Sequence, residues 1–267
     1  MQILAFVNPV LFKLGPLEVR WYGLIVVSAI LTAIWVTERN AKSRGLDAEL
    51  VPDLALWVVP AGIIGARLYE CLILQWPYYS QHLIEIPQIW LGGLAIHGGV
   101  LGGGLAAAII MLRRKQPFWA WADCIAPGLI LAQAIGRWGN FFNQEAYGSA
   151  APDWLINLMP GWLKDGMTIS GTVMHPTFLY ESVWNLLVAV VLMAYFRRNR
   201  ARGTTFALYL ILYDLGRFVI ESIREDSSFI FGTIRTAQFT AVVLALIGVV
   251  LFAFFARRSK PVQEQPE

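Results

Sequence analysis

Charge, cysteine and histidine are all scarce in this sequence of 267 residues. Charged residues make up 15% of it, whereas soluble domains usually carry about 25%. The two cysteines, Cys71 and Cys124, lie in apolar surroundings and cannot form a disulfide framework or a zinc cluster. The three histidines lack the spacing of a zinc motif, so we expect no bound metal, and nothing in the sequence indicates a cofactor. The net charge of +3 is too small to indicate nucleic-acid binding.

Apolar residues dominate the rest of the composition. Hydrophobic side chains account for 57% of the chain, and the mean hydropathy is +0.56. Seven apolar stretches approach the ~20 residues that a bilayer-spanning helix needs, namely 22–36, 54–74, 94–112, 118–136, 177–196, 204–223 and 237–256. The sequence therefore predicts an all-α, polytopic integral membrane protein with seven transmembrane helices in a single domain, residues 1–267.

Basic residues predict the orientation of these helices. Lysines and arginines cluster after the first, third, fifth and seventh stretches, at 39–44, 113–115, 197–202 and 257–260. The stretch 75–93 contains neither lysine nor arginine. Because basic residues accumulate on the cytoplasmic side, the N-terminus is predicted outside and the C-terminus in the cytoplasm. The long connections 75–93 and 138–176 then lie outside, and 138–176 forms either a small extracytoplasmic cap or an interfacial loop.

Ionisable side chains of the predicted spans gather in the outer half of the membrane. Each costs about 2.5–3.5 kcal/mol to insert, so such residues usually have a function. Arg217 and Glu221 are four residues apart and share one face of the sixth span. Arg67 and Glu70 are three apart in the second span, where they form either a structural ion pair or part of the site. Arg137 ends the fourth span at a similar depth.

Arginine and histidine at this depth indicate a lipid ligand and proton transfer. A guanidinium group binds phosphate through two N–H donors and keeps its charge, so Arg137 and Arg217 together predict an anionic phospholipid headgroup. His97 lies in a glycine-rich run, 92–104, whose glycines favour close helix packing. No strand precedes this run, which argues against a dinucleotide-binding loop. His97 is either a satisfied core histidine or a proton acceptor near neutral pH.

The densest local signal is GRWGNFFNQEAYG at residues 136–148. It places Arg137, Asn140, Asn143 and Glu145 at the outer end of the fourth span, with Asn140 and Asn143 three and six residues beyond Arg137. If helical turns continue there, both amides face the same polar ligand. So many polar side chains beside aromatic ones are unusual in a simple turn.

This stretch resembles the signature of the prolipoprotein diacylglyceryl transferase family. Four further motifs of that family occur in the expected order along the chain, two before this stretch and two after it: RWYG at 20–23, IHGG at 96–99, HPT with YE at 175–181, and GRF with Glu221 and RE at 216–225. The resemblance implies transfer of the diacylglyceryl group of phosphatidylglycerol to the lipobox cysteine of a prolipoprotein signal peptide. A thioether forms and glycerol phosphate leaves, without a cofactor, in a bacterial plasma (inner) membrane and on its outer face.

The resemblance also implies roles for individual residues. Arg137 and Arg217 correspond to essential arginines that would hold the phosphate, and His97 to an essential histidine that would accept the thiol proton. Glu145 is an alternative base. The other matching positions are expected to bind substrate or to position the arginines: Tyr22, Asn140, Glu145 and Glu221.

Three other classes of protein remain as alternatives. A transporter or flippase also places charges in helices, but it more naturally has them near mid-membrane and often shows internal repeats. An intramembrane serine protease needs a nucleophile elbow, and Ser170-Gly171 has no such context. A purely structural scaffold leaves the outer cluster of charges unexplained.

Overall fold

The computed structural model describes residues 8–14, 17–199, 201–225, 229–230 and 233–258. It is mostly helical, at 74%. The α-helices of these residues are α1 (Trp21–Ser43), α2 (Leu50–Tyr69), α3 (Trp76–Tyr79), α4 (Ile96–Arg113), α5 (Phe118–Asn143), α6 (Asp153–Leu158), α7 (Gly161–Gly166), α8 (Thr177–Arg198), α9 (Thr204–Glu221) and α10 (Thr236–Arg258). A π-helical segment, Glu70–Leu74, continues α2, and two 3₁₀ turns, Leu83–Glu85 and Ile89–Leu91, precede α4.

Short antiparallel hairpins add to the predicted all-α chain. β1 (Val10–Leu14) pairs with β2 (Leu17–Arg20), β3 (Thr168–Ile169) with β4 (Thr172–Val173), and β5 (Phe229–Ile230) with β6 (Ile234–Arg235). Strands β3 to β6 have two residues each, which is too short to show the alternation of apolar and polar side chains by which a strand is predicted. The pairing of such short strands depends on the turn that joins them. In β3–β4 that turn consists of Ser170 and Gly171, both with positive φ.

Six helices are long and apolar enough to cross a membrane, which makes the chain a multi-pass membrane protein. They are α1, α2 with its π-helical continuation, α4, α5, α8 and α10. Six of the seven predicted stretches fall on these helices. Basic residues lie in the last turns of α4, α8 and α10, as the charge pattern predicts. Arg200 and Lys260, which belong to the same basic clusters, lie outside the described residues.

The remaining predicted stretch corresponds to α9, which differs in composition. Its 18 residues include Asp214, Arg217 and Glu221, three charged side chains in the length of one short span. Composition alone therefore does not identify α9 as membrane-spanning. Glu221 and Asp214 are nevertheless buried, and Glu221 belongs to the network described below.

The chain divides into two compact units. The smaller unit comprises Glu38–Trp121, and the larger unit comprises the chain up to Thr37 and from Ala122 onward. In the smaller unit, α2 and α4 pack with their backbones in contact. A Cβ atom on Gly98 would overlap the carbonyl oxygen of Gly65, and one on Gly102 would overlap that of Ala61. The glycine-rich run thus acts in helix packing, as predicted.

In the larger unit, α8 and α9 form a closely packed hairpin. The Trp184 indole donates a hydrogen bond to the Leu212 carbonyl oxygen (2.9 Å) and occupies the space that a side chain at Gly216 would fill. At the other end, Asp123 of α5 accepts hydrogen bonds from the backbone N–H groups of Gly203 (2.6 Å) and Phe206 (2.9 Å). Asp123 therefore caps the N-terminus of α9, a structural role.

Residues 138–176 fold around the ends of α5 and α8. Helices α6 and α7 and the β3–β4 hairpin follow one another there. Leu163 of α7 and Met167 share a small core with Phe141 of α5 and Phe178 of α8. This core packs the stretch on the ends of both helices, and it is separate from the helical core formed around Ile130, Leu192 and Tyr209.

Candidate active site

A buried carboxylate joins the two arginines that the sequence predicts in the site. Glu181 lies on α8, one turn from its N-terminus, and its side chain is only 4% exposed. Arg137 of α5 places Nη1 3.1 Å from Glu181 Oε2, and Arg217 of α9 donates from Nη1 to Oε1 at 2.7 Å. Arginines that are 80 residues apart in sequence therefore meet on one acidic side chain.

A second carboxylate and a third arginine extend this group into a network. Glu221 forms an ion pair with Arg217, whose Nη2 lies 2.9 Å from Glu221 Oε2. Arg224 lies between the two acids, 3.6 Å from Glu181 Oε1 and 3.7 Å from Glu221 Oε2. Three guanidinium groups against two carboxylates leave a formal charge of +1.

The burial of these groups is uneven, and it decides where an anion can bind. The glutamate side chains are 3–4% exposed, whereas Arg137 and Arg217 are 19% and 21% exposed. The Oε2 atoms of Glu181 and Glu221 lie in ion-pair range but receive no aligned hydrogen bond. Because each guanidinium carries five N–H donors, the two arginines keep donors for an additional anionic partner. Excess positive charge at partly buried arginines favours phosphate.

The sequence analysis assigns no role to Glu181 and Arg224 of this network or to Arg235 beside it. Glu181 is an ionisable residue inside a predicted span, so the criterion that found Arg217 applies to it equally. Arg224 belongs to a family motif and lies beyond the end of α9. Arg235 donates to the backbone carbonyls of Glu221 and Arg224, which holds the end of α9 in place. No sequence signal marks Arg235.

Tyr22, another predicted site residue, packs on the C-terminal end of α5. A Cβ atom on Gly139 would lie 2.7 Å from the Tyr22 ring, so glycine is required for this contact. Beside it, the Trp21 and Phe142 rings stack with centroids 5.0 Å apart. These contacts fix the start of α1 against the segment that carries Arg137.

The polar residues that follow Arg137 differ in their burial and in their hydrogen bonds. Asn143 ends α5 and donates to Glu145 Oε1 (3.2 Å), and both side chains are exposed. Asn140 is half-buried, and its backbone carbonyl oxygen accepts a hydrogen bond from the backbone N–H of Glu145 (3.0 Å). Because Gln144 and Ala146 have positive φ, the helix stops at Asn143. Glu145 therefore contacts an asparagine amide, whereas its predicted role was to position arginine.

His97 and Arg67 belong to the smaller unit. His97 occupies the first turn of α4 and is exposed, with its ring 5.9 Å from that of Tyr69, so the core-histidine alternative is wrong. The predicted contact between Arg67 and Glu70 is not an ion pair, because the Arg67 guanidinium donates to backbone carbonyls of residues 85–93. Within the part of the chain that the structure describes, no three metal-ligating side chains are grouped to hold an ion.

An apolar groove opens beside the arginine network in the larger unit. It lies between α1, α5 and α8 and has a volume of about 360 Å³. Trp138 and Ser182 line it, and they directly follow Arg137 and Glu181 in sequence. The other walls are mainly apolar and include Trp21, Leu24, Ile25, Phe142 and Leu186. A charged group that binds the arginines and an apolar chain in this groove could belong to one molecule.

Comparison with known proteins identifies the family. The family model described as prolipoprotein diacylglyceryl transferase matches residues 9–254. The chain is 66% identical to a phosphatidylglycerol–prolipoprotein diacylglyceryl transferase of Symbiobacterium thermophilum over 258 residues, 97% of this chain and 96% of the relative. This chain belongs to the prolipoprotein diacylglyceryl transferase family. Relatives of the same name from Geobacillus kaustophilus and Lysinibacillus sphaericus are 46% identical over 253 residues and 44% over 263, covering 93–97% of each chain.

Membership of this family makes the chain a transferase and confirms the resemblance seen in its motifs. The flippase and scaffold alternatives are therefore wrong. The protease alternative also fails on geometry, because Ser170 and Gly171 form the turn of the β3–β4 hairpin. A nucleophile elbow instead lies between a strand and a helix. In the transferase the signature 136–148 supplies the end of α5 and the turn that follows it.

Proposed function

We propose that Arg137 and Arg217 of this transferase together bind the phosphate of phosphatidylglycerol while its diacylglyceryl group passes to the lipobox cysteine of a prolipoprotein. The observation that carries this proposal is the shared carboxylate of Glu181, which holds both arginines in one place. Glu221 orients Arg217 further through its ion pair with Nη2. Phosphate is recognised by such a pair because each guanidinium presents a planar fork of donors.

The reaction is an alkyl transfer from oxygen to sulfur. The cysteine thiolate attacks the carbon of the diacylglyceryl group that is esterified to the phosphate, a sulfur–carbon bond forms, and the bond between that carbon and the phosphate oxygen breaks. Glycerol phosphate leaves with the electron pair of that bond. Negative charge grows on the phosphate in the transition state, where preorganised cations such as Arg137 and Arg217 are most effective. The thiol must lose its proton because the thiolate is the nucleophile.

His97 is the proposed acceptor of this proton, and Glu145 is the alternative. Both side chains are exposed, as a proton acceptor that must reach its substrate has to be. Histidine is the usual side chain for proton transfer near neutral pH, which favours His97. Tyr22, Asn140 and Asn143 are proposed to orient the headgroup at the outer end of α5. The groove lined by Trp21 and Trp138 is suited to an acyl chain, because its walls are mainly apolar.

The proposed topology has seven spans, with α9 as the sixth. Glu181 near the start of α8 contacts Arg217 near the end of α9, and Trp184 contacts Leu212, so the two helices run antiparallel along a shared length. If α8 crosses the membrane, α9 therefore returns across it. The N-terminus then lies outside and the C-terminus in the cytoplasm. The chain forms a single domain in the bacterial plasma membrane. Residues 138–176 form a small cap on the outer face, where both substrates reach the site.

A direct test supplies the purified enzyme with phosphatidylglycerol vesicles and a synthetic lipobox peptide. Mass spectrometry is expected to find the peptide heavier by one diacylglyceryl group on its cysteine. A peptide with serine in place of that cysteine, and vesicles of zwitterionic phosphatidylethanolamine, are the matched controls and should give no product. Equal product from phosphatidylethanolamine would contradict recognition of phosphatidylglycerol by this site.

A further inference from the structure

Arg67 is a buried cation whose described hydrogen-bond partners are all backbone carbonyl groups. Its residue is 4% exposed, on the last turn of α2. Nε donates to Ile86 O at 2.8 Å and Nη2 to Glu85 O at 2.6 Å. Nη1 donates to Gly92 O at 2.5 Å and Gly93 O at 3.2 Å. One guanidinium thus holds two separate parts of the connection between α3 and α4.

The backbone of this connection is shaped to present those carbonyls. Glu85 ends one 3₁₀ turn and Ile86 follows it, while Gly92 follows the other turn, so three of the acceptors lie at the C-terminal ends of 3₁₀ turns. Gly92 and Gly93 have φ of +89° and +70°, which favours glycine. A Cβ atom at Gly93 would lie 2.8 Å from Arg67 Nη1. The Tyr79 ring covers the cation, with its centroid 5.0 Å from Cζ.

The same contacts determine where α4 begins. Ala95 donates its N–H to Ala66 O (3.1 Å), next to Arg67, and Ala95 provides no side-chain cap to α4. His97 follows only four residues after Gly93 and lies over the Tyr69 ring of α2. The first turn of α4 is therefore tied to the last turn of α2 by Arg67 and by one backbone hydrogen bond.

We propose that Arg67 is a positioning residue for His97. Arg67 positions His97 by holding the connection 85–93, and with it the first turn of α4, in a single conformation. This inference rests on the proton-accepting role of His97 proposed above. Lysine cannot replace Arg67, because an ammonium group donates from a single point and the four acceptors lie around a planar fork.

The test combines hydrogen–deuterium exchange with a double-mutant cycle in full-length enzyme. R67K is expected to speed amide exchange in a peptide that covers 92–97 and to lower kcat by about 10–100-fold, as displacement by about 1 Å does. The KM for phosphatidylglycerol is expected to change less than about twofold, because Arg67 is buried and its guanidinium donates to backbone carbonyls. R114K, at an exposed arginine of the same unit that pairs with Asp53, is the control and should change neither.

In the H97Q background, R67K is expected to lower kcat by less than about a further threefold, since it acts through the missing group. A full additional loss would overturn the inference, as would unchanged exchange at 92–97. G93A, whose Cβ displaces the guanidinium and also strains a backbone with φ of +70°, should speed exchange and lower kcat at least as much as R67K, and it serves if R67K does not fold. If H97Q alone keeps wild-type kcat, the proposed role of His97 fails and this inference with it. Exchange at 92–97 still tests separately whether Arg67 holds the connection 85–93 in one conformation.

Discussion

Replacing Glu181 by glutamine removes the charge that holds the arginine network together. Three guanidinium groups approach its carboxylate, at 2.7 Å from Arg217, 3.1 Å from Arg137 and 3.6 Å from Arg224. Breaking a buried ion pair by removing one partner costs about 3–5 kcal/mol. Since Arg137 and Arg217 are one-fifth exposed and keep some solvent, the lower end, about 3 kcal/mol, is expected for E181Q.

Thermal unfolding in lipid nanodiscs measures this loss. At about 2–4 °C for each kcal/mol, the midpoint of E181Q should fall by about 6–12 °C. The value of kcat/KM for peptide modification should fall by about 10²-fold, because both arginines lose their fixed position. E38Q is the matched control: Glu38 pairs with Lys42 at 2.6 Å on the surface, and such a pair contributes about 0–1 kcal/mol. An E181Q enzyme with wild-type unfolding and wild-type turnover would refute the shared-carboxylate account.

Three further predictions concern the phosphate, the helix packing and pH. R137K keeps the charge but loses the fork, so kcat/KM should fall by about 10²-fold in the peptide assay; near-normal transfer would exclude bidentate binding. G98A places a Cβ against the Gly65 carbonyl, and unfolding experiments should find a loss of about 1–3 kcal/mol, which an unchanged midpoint would contradict. Burial lowers the pKa of His175 below 6.5, so its folded state prefers the neutral form. The neutral His175 side chain therefore makes its full contribution to stability above pH 6.5, and this contribution is lost as the pH falls from there toward the folded pKa. In unfolding experiments over this pH range, H175Q should lose less stability than the wild type as the pH falls; the same pH profile for both proteins would contradict this prediction.

Much of the helical architecture could be predicted because it depends on composition along one segment. Six apolar stretches became the six membrane-length helices, and the end of the fourth was marked by the polar density after Arg137. α9 was harder, because the charges that give it a function also lower its hydropathy. Its place is set by contacts with α8 that no single segment contains.

The site was only partly predictable, for a related reason. Arg137 and Arg217 could be paired by their common depth and by their chemistry. The residue that joins them, Glu181, has the same kind of signal, but one side chain inside a span does not reveal its partners. Arg67 shows the opposite case. Its spacing from Glu70 suggested an ion pair, whereas the backbone of 85–93 supplies acceptors that a sequence does not display.

The central claim is that Arg137 and Arg217 bind the same phosphate. It is tested most directly by measuring the affinity of phosphatidylglycerol for the wild type, R137Q, R217Q and the double variant in native mass spectrometry, with phosphatidylethanolamine as the reference lipid. If both arginines hold one phosphate, each single variant should lose most of the preference for phosphatidylglycerol, and the double variant should lose little more. Losses that add fully, or a preference that survives in either single variant, would contradict a shared phosphate site.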